Sequence, residues 1–97
     1  MIASFGDKAT EELYHGTRSA RVRRIPRQIW RTACRKLDMI EYAEVLRDLL
    51  VPPGNRLEAL QGDMAGFHSI RVNSQWRVVF QWRDGGARAV SIVDYHG

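Results

Sequence analysis

The stretch from Phe67 to His96 constrains the fold more than any other part of the chain. It reads FHSIRVN-SQ-WRVVFQW-RDGG-ARAVSIVDYH, three runs of alternating apolar and polar residues separated by Asn73-Ser74-Gln75 and Asp84-Gly85-Gly86. Period-two alternation sends successive side chains to opposite sheet faces, so the stretch predicts a three-stranded antiparallel meander. A slip of one residue would carry every apolar side chain to the wrong face. Matching the faces therefore sets the register: a three-residue first loop places Val72 opposite Trp76, Ile70 opposite Val78, His68 opposite Phe80 and Arg71 opposite Arg77. A three-residue Asp-Gly-Gly second loop pairs Phe80 with Val90 and Val78 with Ile92, and puts Val93 opposite Arg77 with Tyr95 as its diagonal neighbour. One face is then apolar and the other gathers Arg71, Arg77 and Tyr95. Directly opposed like charges destabilise a strand pair, which suggests an anion between the arginines, and a phosphate matches the guanidinium fork. Two solvated arginines on an exposed face fit the same residues.

At 97 residues the chain is expected to form a single domain, residues 1–97. The opening MIASFGDK has no apolar leader core, and no apolar run reaches membrane-spanning length. The one cysteine, Cys34, excludes a disulfide framework and fits a reducing cytoplasm. It reads as a small buried apolar side chain. No Cys/His cluster has metal-ligand spacing, and no cofactor is implied. The net charge of +4 is concentrated: Arg18, Arg21, Arg23, Arg24, Arg27, Arg31, Arg35 and Lys36 fall in one acid-free stretch, leaving seven basic against eleven acidic residues elsewhere. That stretch can track a phosphate backbone, or can be no more than a solvated helix face.

Upstream, Ile2 to Phe5 is short and apolar and is expected to form a strand. Asp7 caps a helix from Lys8 to about His15, and Gly16 ends it. Pro26 suits the first turn of a second helix to about Ile40; Ile29, Trp30, Ala33, Leu37 and Ile40 make its apolar side, while Arg27, Arg31 and Arg35 make a cationic stripe. A further helical stretch is predicted from Tyr42 to Leu50 with Val45, Leu46 and Leu49 inward. Pro52-Pro53-Gly54 stops it, and Asn55 to Gln61 is read as another strand. The order describes an α+β fold: two to three N-terminal helices on one face of a twisted, mostly antiparallel sheet.

Such residues permit metal-free RNA cleavage, which needs a base for the 2′-OH proton, an acid for the leaving oxygen and cations for the charge on phosphorus. His96 titrates near neutrality, Tyr95 can orient or donate a proton, and Arg71 and Arg77 can stabilise charge. A near-terminal His96 is equally a solvated chain end. His68 falls on the core side as a packed residue, and His15 lies at a helix end, where it complements the dipole.

Pro52-Pro53-Gly54-Asn55-Arg56-Leu57-Glu58-Ala59-Leu60, Gly62-Asp63, Gly66, Ser69-Ile70-Arg71-Val72-Asn73, Gln75-Trp76-Arg77-Val78 and Val93-Asp94-Tyr95-His96 closely resemble the HigB toxins, the plasmid maintenance killer branch of the RelE/ParE superfamily. The opening Met1 to Phe5 is similar too. The resemblance implies the toxin of a type II toxin–antitoxin pair that enters the ribosomal A site and cuts mRNA there without metal, leaving a 2′,3′-cyclic phosphate. It implies a HigA-like helix-turn-helix antitoxin as partner. Tyr95, His96 and Arg77 match positions with catalytic roles, with Arg71 beside them. By analogy Arg23, Arg24, Arg27, Arg31, Arg35 and Arg56 meet RNA. One departure stands out: many ribosome-dependent relatives carry histidine or lysine before the Gly-Asp loop, where this chain has Glu58 and Gln61. Arg56 and Arg71 can take over, and Glu58 is either a base or a surface partner of Arg56. Two other classes stay open, a ParE-like inhibitor of DNA gyrase that cuts nothing and a ribosome-binding growth inhibitor with little cleavage.

Overall fold

The computed structural model describes residues 1–95. Helix α1 spans Lys8–His15 and helix α2 spans Trp30–Tyr42; four strands follow, β1 (Glu58–Ala59), β2 (Phe67–Arg71), β3 (Trp76–Arg83) and β4 (Gly86–Asp94). They form one antiparallel sheet in the order β1-β2-β3-β4. The architecture is the expected α+β arrangement of helices against a meander.

The predicted register holds where the apolar face is strongest. His68 pairs with Phe80, Ile70 with Val78 and Arg71 with Arg77, while Arg77 pairs with Val93 and Val78 with Ile92. At the first turn the Val72 N–H donates to the Trp76 carbonyl (2.9 Å). The Asn73 side chain holds that turn by accepting from the Gln75 and Trp76 N–H groups at 2.8 and 2.7 Å. The second turn differs from expectation. Arg83 pairs with Gly86, so the loop is the two-residue Asp84-Gly85, both at positive φ (52° and 75°), which matches the twist of the flanking strands. The register shifts again between Val79 and Gln81, and the extra residue includes Ala89 at φ 52°. This β-bulge restores the original pairing beyond Phe80, which lies at the irregularity instead of in a regular pair with Val90.

The bulge faces the N-terminus. Ile2 to Phe5 does not form a regular strand; it touches β4 through two parallel bridges, Ile2 to Ala87 and Phe5 to Val90. Ser4 Oγ accepts from the Ala89 N–H (2.9 Å), and Thr10 Oγ1 of α1 accepts from the Ile92 N–H (2.9 Å). The outer edge of β4 is thereby covered, which removes a template for pairing with another chain.

Helix α1 begins and ends as its sequence specifies: Asp7 accepts from the Thr10 N–H (2.7 Å), and Gly16 adopts φ 84°. Helix α2 starts at Trp30 and not at Pro26, because Arg27–Ile29 forms a separate 3₁₀ turn. Ala33, Leu37 and Ile40 of α2 are buried, whereas Arg27 in that turn and Arg31 and Arg35 on the helix are exposed. The helix stops at Tyr42, and the predicted helix to Leu50 is a 3₁₀ turn, Leu46–Leu50. Its geometry comes from Asp48, whose carboxylate accepts from the Glu44 and Val45 N–H groups at 2.9 and 3.2 Å. Those bonds hold Asp48 below the usual carboxylate range. They turn Val45 outward (43% exposed), against expectation, while Leu49 is buried. Asn55 also departs from the predicted strand. It is fully buried, with its Nδ2 donating to the Leu49 carbonyl (3.1 Å). Strand pairing between Asn55 and Gln61 shrinks to Glu58–Ala59 because Arg56 takes a left-handed conformation, φ 46°. Phe80, Leu13, Leu37, Ile40, Ile70, Val78 and Val90 form the centre of the core, with Trp76 and Trp82 packed at its border. No helix among the described residues is long and apolar enough to cross a membrane.

Candidate active site

The sheet face turned away from α2 carries alternate residues of β2 and β3, so Arg71 and Arg77, directly paired, emerge side by side. With Arg56, Asn73, Ser74 and Tyr95 they line a cleft of about 200 Å³. Tyr95 is placed by its backbone: its N–H donates to the Gln75 carbonyl at 2.6 Å, tying the chain end to the first turn. Its ring lies 5.5 Å from the Arg77 guanidinium carbon, within cation–π range.

Arg77 is the most constrained cation of the group, with a side chain only 12% exposed. Nη1 donates to Glu58 Oε1 at 2.8 Å and Nη2 to the Arg56 carbonyl at 2.6 Å. The left-handed turn at Arg56 is what brings that carbonyl under the guanidinium. Arg77 Nε is shielded from solvent with no hydrogen-bond partner among the described residues. Leaving a buried donor unpaired costs about 1–3 kcal/mol. Glu58 is the expected surface acid, but its partner is Arg77 and not Arg56. Strand pairing explains why, since Glu58 lies opposite Ser69, on the face that carries Arg71 and Arg77. It acts as a counter-ion that offsets one of two opposed charges. Arg71 has no acidic partner among the described residues, so it and Arg56 are the cations open to a ligand.

Gln61 does not line the cleft; it is exposed ahead of the Gly62–Met64 turn. His96 lies outside the described residues. His68 packs on the core side, its ring stacked on Phe80 at 6.1 Å. His15 is exposed beside the Phe5 and Tyr14 rings. Cys34 is half-buried, and burial pushes its thiol up, away from thiolate chemistry.

The basic residues of the chain divide into separate surfaces. Arg18, Arg23 and Arg27 converge with Ile25 and Trp30 on a larger cleft of about 510 Å³, where Arg18 and Arg27 lie 4.9 and 5.7 Å from the Trp30 ring. No carboxylate, imidazole or thiol lines it. Arg24 lines a third depression with Asp7 and Lys8. Arg31 is exposed on the α2 stripe, and Arg35 lies near the end of the sheet. Asn73 and Ser74 are cleft residues that sequence reasoning passed over as turn formers. Their position in the hairpin, next to Arg71, was the available signal.

A sequence model described as RelE-like toxin of type II toxin–antitoxin system HigB matches residues 3–96. The chain belongs to the HigB toxin family. Toxin HigB-1 of Vibrio cholerae serotype O1 is 45% identical over 87 residues, 90% of each chain. A protein of Proteus vulgaris named endoribonuclease HigB is 42% identical over 41 residues, 42% of this chain and 45% of that one. Among solved structures, the YoeB–YefM complex from Staphylococcus aureus superposes with a TM-score of 0.61 over 100% of this chain and 99% of that one at 18% identity. A YafQ mutant from E. coli superposes with a TM-score of 0.65 at 10% identity, covering 98% and 94%. The structural likeness at such low identity concerns the fold, which HigB toxins share with these RelE-type proteins.

Proposed function

We propose that this HigB toxin is a ribosome-dependent endoribonuclease of the cytoplasm that cuts translated mRNA in the A site without metal and is neutralised by a HigA-like antitoxin. The supporting observation is the convergence of Arg56, Arg71, Arg77 and Tyr95 on one cleft. In the reaction the 2′-OH attacks the adjacent phosphorus, the P–O5′ bond breaks, and a 2′,3′-cyclic phosphate and a 5′-OH end result. Arg71 and Arg56 meet the non-bridging oxygens, Arg77 supplies fixed positive charge, and Tyr95 with His96 handles the two protons. The preorganised Arg77 is suited to charge that develops in the transition state, because it has little freedom left to lose.

The test is expression of Arg77→Ala, Arg77→Lys and His96→Ala beside the parent, with mapping of mRNA 5′ ends after brief induction. Arg77→Ala should lower cleavage by about 100- to 1,000-fold. Arg77→Lys should fail to restore it, because an ammonium lacks the planar guanidinium geometry that lets Arg77 be fixed by Glu58 and the Arg56 carbonyl together. Full cleavage and growth arrest by both Arg77→Ala and His96→Ala would refute the reading. The engagement of Arg77 by Glu58 and the lining of the cleft without Gln61 favour a second reading, a ribosome-binding inhibitor with little cleavage. Growth arrest without new 5′ ends in the parent would select it.

A further inference from the structure

The catalytic cleft is not closed on the side of Arg71. Arg71 and Asn73 also form one wall of a second trough, of about 540 Å³, whose opposite wall includes Arg35, Lys36, Pro52 and Gly54. Arg71 thus stands at a corner, with the sheet face on one side and the flank of α2 on the other. No acidic side chain lines the trough among the described residues. Arg35, Lys36 and Arg71 give it three positive charges.

Lys36 is held unusually firmly for a lysine. Its Nζ donates to Asn55 Oδ1 at 2.6 Å. Asn55 is itself fully buried and anchored to the Leu49 carbonyl. An ammonium has three donors, so two remain for the trough. Burial and the neighbouring Arg35 lower its pKa, and an arriving anion would offset that cost. Arg35 lies one residue away, with Nη2 donating to Thr32 Oγ1 at 3.4 Å.

We propose that a single RNA strand bound for cleavage turns around Arg71 and continues into this trough, where Lys36 and Arg35 hold the neighbouring phosphate. The proposal rests on the ribonuclease reading of the first cleft. It favours RNA over an acidic peptide because the trough shares its wall with that cleft, so one continuous polyanion fills both. The recognition is of backbone and not of base, since the trough presents cations and no aromatic ring. It makes Lys36 and Arg35 binding groups that set how many nucleotides the toxin grips.

The experiment uses the purified full chain with a 2′-O-methyl dinucleotide and tetranucleotide, which cannot be cleaved, titrated by NMR over a range of salt. The parent should bind the tetranucleotide about tenfold more tightly than the dinucleotide. Arg35→Gln/Lys36→Gln should lose that gain, and its logarithmic salt slope for the tetranucleotide should fall by about 0.7 for each cation removed. Lys36→Arg should restore part of the gain, which separates charge from loss of the Asn55 contact, and Arg35→Gln alone leaves that contact untouched. Equal binding of both lengths by the parent, or a gain that survives the double substitution, overturns the trough. So does Lys36-dependent binding of hexaglutamate without binding of the tetranucleotide. Arg77→Ala should weaken both lengths alike; if it weakens neither while the double substitution still does, the ribonuclease reading of the first cleft fails and the trough stands alone as an RNA site.

Discussion

Glu58 and Arg77 show how much one pair of side chains can decide. Arg71 and Arg77 oppose each other directly in the sheet, an arrangement that costs stability when unrelieved. Glu58 relieves it, but only half: its carboxylate, 51% exposed, engages Arg77 and leaves Arg71 to solvent or ligand. Glu58→Gln keeps a hydrogen-bond acceptor near Arg77 and removes the charge. The folded protein should lose about 0.2–1 kcal/mol, the range for a partly exposed pair, while its affinity for an RNA dinucleotide rises and becomes more salt-sensitive. Thermal unfolding and a binding titration at two salt concentrations measure both effects. Weaker binding by the variant would mean that Glu58 serves the ligand and not merely the arginine. The individual residues were legible as arginines and an acid in a strand pattern, but their partners were not. Glu58 reaches Arg77 only because β1 docks on β2 with Glu58 opposite Ser69, a pairing across a loop that carries no alternation to announce it.

At the level of the element, α1 and the meander were legible because each is written locally. Asp7 and Gly16 bracket one helix, and alternating apolar faces align three strands. The bulge in β4 was not legible, because its cause lies at the far end of the chain. The N-terminal segment lies along β4, and Gly6 passes so close that an added Cβ would press on Ser91 Oγ and sit 2.9 Å from the Ala89 carbonyl oxygen. Gly6→Ala should therefore destabilise by about 1–3 kcal/mol. Ser91→Ala should not fully rescue it, since the backbone oxygen remains. Ala89→Gly should act in the opposite direction: at φ 52° a Cβ is strained, and its removal should add about 1 kcal/mol, raising Tm by roughly 4–8 °C. A fall in Tm for Ala89→Gly would show that the bulge carries no strain.

Across the whole molecule, acid stability depends on how α1 is joined to the basic connection that follows it. Glu12 of α1 receives both Arg21 Nε and Nη2 at 2.9 Å and Ser19 Oγ at 2.7 Å. Arg21 first, then Ser19, draws its carboxyl from 4.5 to about 2. A folded-state pKa below the unfolded one means that the unfolded chain takes up protons first as pH falls. The contribution is complete above 4.5 and is lost as pH drops toward about 2. Glu12→Gln should thus have a flatter Tm-against-pH curve than the parent across that interval, measured by circular dichroism at constant ionic strength. Parallel curves would show that the contact contributes nothing to folding.

The sequence by itself determined the α+β class, the register of β2 against β3, the cap and stop of α1, and the placing of Arg71, Arg77 and Tyr95 on one face. These follow from periodicity and local chemistry, which act between residues near in the chain. Tertiary structure alone decided that Glu58 pairs with Arg77, that Arg56 offers its carbonyl and not an ion pair, that β4 is bulged against the N-terminus, and that Arg71 borders two clefts. Each of those results from segments distant in sequence competing for the same space and the same hydrogen-bonding groups, and such competition has no local signature.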